Sequence, residues 1–116
     1  MSLKEDTLRE WHALADDLAA QNDDVAHGRM MSAPALTHGG KVFAFHSTKS
    51  GFPGLGCRLG RNYPFETLNL SHWQHLAPFK TRPPMKDWLL IGLDDLGQWQ
   101  PLAETALDLA RKGTRT

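Results

Sequence analysis

KVFAFHSTKSGFPGLGCRL, Lys41–Leu59, is the stretch whose reading decides the fold. Val42, Phe43, Ala44 and Phe45 stand in a row, with Gly39-Gly40 before them and Ser50-Gly51 after. A short apolar run bounded by turn residues predicts a strand over Lys41–Ser47. Leu55–Leu59 then predicts the returning strand of a β-hairpin. The loop between them, Thr48–Gly54, is too long for a minimal hairpin connection. Phe52 within that loop either covers a sheet edge or is offered to a partner. The glycines of GFPGLG lack G-x-G-x-x-G spacing and no Lys-Ser/Thr follows, so the stretch does not read as a phosphate loop.

Working outward, Thr37–Gly40 predicts a turn whose glycines are free to take positive φ. One strand is expected within Arg29–Leu36. Pro34 has no N–H for the ladder, which puts this strand at an edge or lets it pair on one side only near Pro34. Met30 and Met31 would point to opposite faces of a strand, which argues for packing rather than a soft-metal site. Leu3–Gln21 predicts a helix: Ser2 and Glu5 fit a capping box, and Leu3, Thr7, Trp11, Leu14, Ala15 and Leu18 share a face. Beyond the hairpin, one helix is expected between about Pro64 and Leu76, broken near Asn69–Ser71. His72 and His75 would share its face, but no neighbouring Cys or carboxylate completes a metal site. Ala77–Pro84 is a proline-rich connector, and Met85–Leu93 predicts a further strand, covered on both faces or central in the sheet. The last helix starts near Trp99 or Gln100, with Pro101 in its first turn. It buries Leu102, Ala103, Ala106, Leu107, Leu109 and Ala110, and it ends at Gly113. The expected fold class is α+β, a single domain spanning 1–116. Its antiparallel sheet, a three-strand meander plus a further strand, packs with N- and C-terminal helices.

A chain of 116 residues can bury a core without disulfides or metal. No run of about 18 apolar residues is present, so no transmembrane helix is expected. The N-terminus is acidic and amphipathic, unlike a signal peptide. Cys57 is the only cysteine. Together these predict a cytoplasmic protein with no membrane association, and no cofactor is implied. Net charge is zero but unevenly spread: residues 1–27 carry −5, residues 28–86 carry +7 and residues 87–116 carry −2. A basic centre of this kind attracts polyanions. The alternative is that acidic helices neutralise basic strands within the fold.

Three landmarks carry a family resemblance: Arg29-Met30-Met31, Gly40-Lys41-Val42-Phe43-Ala44 and Met85-Lys86-Asp87-Trp88. With the Ala-rich last helix, the chain resembles the TfoX N-terminal-like and YjbR (MmcQ) families of small bacterial proteins over nearly its whole length. It departs from their pattern at Ser32-Ala33, where a glycine is common, and at Cys57-Arg58-Leu59, where a Leu-x-Leu-Lys type pattern is usual. The resemblance implies a double-wing α+β fold and no known catalysis. TfoX-like proteins are associated with regulation of natural competence genes, and the YjbR group with predicted DNA binding.

The leading expectation is therefore a non-enzymatic regulatory or adaptor domain that binds a protein or a nucleic acid. Lys41, Lys49, Arg58, Arg61, Lys80, Arg82 and Lys86 would be its anion contacts, with Phe52 or Trp73 stacking on an unpaired base. A second expectation is a small-molecule binder or enzyme drawing on Cys57, His38, His46, His72 and His75. There, Arg58 and Arg61 would lower the Cys57 pKa and make it a nucleophile. A third is a self-associating module, a homodimer joined through a sheet edge or Phe52.

Overall fold

The computed structural model describes residues 2–30, 33–48, 52–60, 63–76 and 85–113. Helix α1 (Leu3–Gln21) starts where the Glu5 N–H donates to the Ser2 hydroxyl at 3.1 Å. It ends where the Asn22 side chain and backbone N–H both donate to the Leu18 carbonyl. Its buried residues are Thr7, Trp11, Leu14, Ala15 and Leu18, the stripe that the spacing predicts except for Leu3, which lies in the exposed first turn. Helix α2 (Trp99–Gly113) buries Trp99, Leu102, Ala103, Ala106 and Leu107. Both helices pack on one face of a six-stranded antiparallel sheet. Its strands are β1 (Val25–Met30), β2 (Ala33–His38), β3 (Lys41–Ser47), β4 (Gly54–Arg58), β5 (Trp73–Leu76) and β6 (Met85–Ile91). They lie in the order β1-β2-β3-β4-β6-β5, so β6 is inserted between the four-strand meander and the short edge strand β5.

The apolar run of β3 has a specific cause. Leu36 pairs with Ala44 and Thr37 with Val42, which leaves Phe43 as an extra residue on β3. Such a bulge breaks the alternation of faces. Phe43 and Ala44 both join the core beneath the helices, while Val42 and Phe45 both belong to the opposite face. That second core holds Ala35, Phe45, Phe52, Leu76, Trp88 and Leu90. The Phe45 ring meets Trp88 edge-on, at 5.3 Å between centroids, and covers Gly56, where a Cβ would collide with it. The β2–β3 connection is a two-residue turn, Gly39 and Gly40, with φ of 59° and 82°. Positive φ at both positions is what the hairpin twist requires.

Two expectations are corrected. The single strand within Arg29–Leu36 is two strands, β1 and β2, paired from Val25–His38 to Met30–Ala33. Pro34 pairs with Arg29 only, because the β2–β3 register begins at Ala35. The helix between Pro64 and Leu76 is replaced by a 3₁₀ turn, Phe65–Leu68, followed by β5. Asn69, at φ 54°, ends that turn. The Asp95 carboxylate then accepts from the Ser71 and His72 N–H groups at 2.8 and 2.9 Å, and Trp73–His75 pair with Ile91–Leu89. His72 and His75 therefore share no helical face. The connector at 77–84 and Met31 lie outside the described residues.

The C-terminal end of α2 is tied to the α1–β1 turn. Arg111 donates to both Asp24 carboxylate oxygens, at 2.7 and 2.9 Å, and to the Asn22 side-chain oxygen at 2.9 Å. The His38 Nδ1 lies 3.2 Å from the same carboxylate. The Arg111 hydrogen bonds hold the Asp24 carboxyl down to about 2, from 3.8. A depressed acid stabilises the fold above its unfolded pKa, and that contribution fades as pH falls through the folded one. Asp24→Asn is thus expected to lower the thermal midpoint at neutral pH, with the gap from wild type closing as pH falls from 3.8 towards 2. A gap that stays constant over that range would refute the assignment.

Candidate functional site

Four of the candidate cations, Lys49, Arg61, Lys80 and Arg82, lie outside the described residues. The other three lie at one end of the sheet, with Arg58 on the face of its partner Trp88, opposite the helices. Lys41 opens β3, Arg58 closes β4 and Lys86 is the second residue of β6. Because β3, β4 and β6 are successive antiparallel neighbours, these positions share one end of the sheet. The Leu59 and Gly60 N–H groups both donate to the Asp87 carbonyl, at 2.9 and 3.0 Å, which pins the chain after Arg58 beside Lys86-Asp87. All three cations are exposed. Among the described residues, none of them has a carboxylate partner.

Lys41 and Arg58 also line a cavity of about 300 Å³ at this end. Val42, Phe43 and Leu59 form its sheet side, and Ala106, Leu109 and Ala110 its helix side. No acidic side chain is among its described lining. Ala106 and Ala110, one turn apart on α2, leave a strip without bulk on its helix side.

No family model, curated protein or solved structure matches the chain.

The remaining candidates serve the fold. Phe52 is buried at 5% exposure, with its ring 4.4 Å from that of His72, so it completes the second core and offers no exposed contact. Cys57 is fully buried between Ala44 and Leu89, and burial pushes its thiol pKa up, the opposite of nucleophile activation. His75 accepts a structural role, its Nδ1–H donating to the Trp88 carbonyl at 3.0 Å. Half-buried Trp73 stacks with Phe65, 6.0 Å away, and meets His75 edge-on. Among the described residues, no group of three His, Cys, Asp or Glu side chains could hold a metal ion. Sequence reasoning missed the cavity, because Phe43, Ala106, Leu109 and Ala110 carry the same apolar signature as core. The strip of small residues on α2 was the available signal.

Proposed function

We propose that the chain is a non-enzymatic regulatory or adaptor domain that acts in the cytoplasm and binds an anionic partner through the basic end of its sheet. One observation carries this reading: Lys41, Arg58 and Lys86 are gathered at one end, exposed and unneutralised by any described carboxylate. The resemblance to the TfoX N-terminal-like and YjbR families supports a regulatory role. A protein partner that presents carboxylates is favoured over a nucleic acid. Base stacking needs an aromatic face beside the cations. Trp73 pairs with Ile91, three residues along β6 from the Trp88 that pairs with Arg58, or roughly 10 Å at the usual rise per residue. Among the described residues, no helix is long and apolar enough to cross a membrane.

The test is capture of native partners from lysates with and without nuclease treatment. Wild type is compared with the triple variant Lys41→Glu/Arg58→Glu/Lys86→Glu. A partner retained after nuclease and weakened about tenfold or more by the variant is expected, since exposed charge pairs contribute a few tenths to one kcal/mol each. Capture that the variant leaves unchanged would overturn the reading, and loss on nuclease treatment would make the partner a nucleic acid.

A further inference from the structure

We propose that the first two turns of α1, residues 3–10, form an acid-released strap, held on the sheet while His46 is neutral and freed when that imidazole takes up a proton. The hold on these turns is narrow. Thr7 is their only buried residue, with Leu3 exposed and Leu8 half-buried, whereas Trp11, Leu14, Ala15 and Leu18 anchor the rest of the helix in the core. Among the described residues, the 2.8 Å bond between Thr7 and His46 is the one side-chain hydrogen bond that joins these turns to the sheet. The second half of α1 has several ties: the Asp16 carboxylate lies 3.5 Å from His27, Gln100 donates to Asp17 at 2.9 Å, and Arg111 donates to Asn22 and Asp24 just beyond the helix. Where the two halves meet, an open groove of about 370 Å³ separates Trp11 and His12 from His27, Arg29 and Pro34. A helix end with so little buried surface and one polar tie is the kind of segment that opens locally while the domain stays folded.

The charge on His46 decides whether the strap stays down. Neutral, the ring bonds to the Thr7 hydroxyl, which itself donates to the Leu3 carbonyl at 2.7 Å. A proton on the second ring nitrogen leaves that bond in place but puts a full charge in a dry site. The charges that act on it there are His12 and Lys4 of α1, both cationic. β4 sets Leu55 opposite His46, and the register with β2 makes Pro34 its neighbour on the other side, so neither strand offers a counter-charge. β1 contributes His27 and Arg29 across the groove, and α2 meets β3 at its other end, beside Lys41 and Phe43. The acids of α1 are engaged or directed elsewhere: Asp6 pairs with Arg9, Asp16 with His27, Glu10 lies on the opposite flank beside Trp99, and Glu5 is exposed at the helix start. A buried cation without a partner is strongly disfavoured. Lifting residues 3–10 brings water to the imidazolium, so opening and protonation favour each other. His46 stands at the far end of β3 from Lys41, which keeps the strap separate from the basic end of the sheet.

Amide hydrogen exchange of the full chain, corrected for the intrinsic rate at each pH, reads the opening directly. The amides of residues 7–10 are expected to exchange through an opening that leaves those of residues 14–18 protected. The ratio of open to closed strap is expected to rise about a hundredfold between pH 6.5 and 4, the factor set by a group that titrates near 6.5 when open and near 4 when closed. His46→Gln keeps an N–H for Thr7 and should flatten the response. Lys4→Gln/His12→Gln, at exposed positions that do not challenge folding, should make the rise smaller. The proposal is overturned if residues 7–10 open only together with residues 14–18, if wild type shows no rise over this range, or if His46→Gln shows the same rise. Should His46→Gln fail to fold, an undiminished rise in Lys4→Gln/His12→Gln overturns it instead. Failure of partner capture with this response intact would remove the partner reading and leave the strap standing.

Discussion

Gly54→Ala is expected to lower the thermal midpoint by about 15 °C or more, or to remove the cooperative transition altogether. Gly54 opens β4 and pairs with Ser47. A Cβ there would collide with the Ile91 carbonyl oxygen, and it would lie 2.8 Å from the Ile91 carbonyl carbon and 3.2 Å from the Gly92 Cα. These are backbone atoms, so no rotamer change relieves the clash. The backbone itself is held on several sides. Ile91 pairs with Leu55 and with Trp73, the Gly92 N–H donates to the His72 carbonyl at 3.2 Å, and the Trp99 Nε1–H donates to the Gly92 carbonyl at 3.0 Å. Overpacking alone costs about 1–3 kcal/mol. Each hydrogen bond that yields with β6 adds about 1 kcal/mol. The sum is a large part of the roughly 5–15 kcal/mol that holds a domain together. Gly97→Ala is the control, because a Cβ at Gly97 meets nothing within 4 Å. A Gly54→Ala protein that melts where wild type does would show that β4 and β6 are not joined as described.

Acidification from pH 6.5 to 4 is expected to remove roughly 3 kcal/mol of stability through His46 alone. His46 is 2% exposed and faces α1, where its Nε2 lies 2.8 Å from the hydroxyl of fully buried Thr7. The Thr7 hydroxyl also reaches the Leu3 carbonyl at 2.7 Å. With its hydrogen assigned there, the His46 Nε2–H is the donor to Thr7. Burial pushes the His46 pKa down from 6.5 to about 4, and the positive charges of His12 and Lys4 push the same way. The native state therefore stays neutral through a range in which the unfolded chain takes up a proton. Stability is fully present above 6.5 and is lost as pH falls toward 4. His46→Gln keeps an N–H for Thr7 and removes the titration. Urea unfolding of both proteins above pH 6.5 and at pH 4 should show wild type losing about 3 kcal/mol more than the variant. Equal losses would mean that His46 is not buried as neutral imidazole.

The helices were legible because each carries its own boundary signals: Ser2 before α1, and Pro101 and Gly113 at either end of α2. β3, β4 and β6 were legible because they are covered on both faces and so read as apolar runs. The edges were not. β1, with the exposed Ala26, His27 and Arg29, is paired on one side only and shows no apolar alternation. β5 is four residues long, and the spacing of Leu68, Trp73 and Leu76 imitates a helical face that Asn69 and Asp95 break. The charges of the candidate site were readable one by one, but their gathering at one end depends on β6 lying beside β4. In the sequence, those strands' facing ends at Arg58 and Trp88 stand thirty positions apart. Phe52 misled because its loop is rich in turn residues, whereas its ring belongs to the second core.

The odd residue at Phe43 has a consequence for how such a strand can diverge. It acts as a reading-frame shift in a text scanned two letters at a time. On one side of it the oily letters fall at one parity, and on the other side at the opposite parity. Losing that single letter would force every residue on one flank to trade its character with its neighbour, lysine for valine on the one side or phenylalanine for histidine on the other. Such a wholesale exchange is not reached by one substitution at a time through folded intermediates. The spacing from Gly40 to His46 should therefore persist in descendants of this chain long after the identities of the letters between them have drifted.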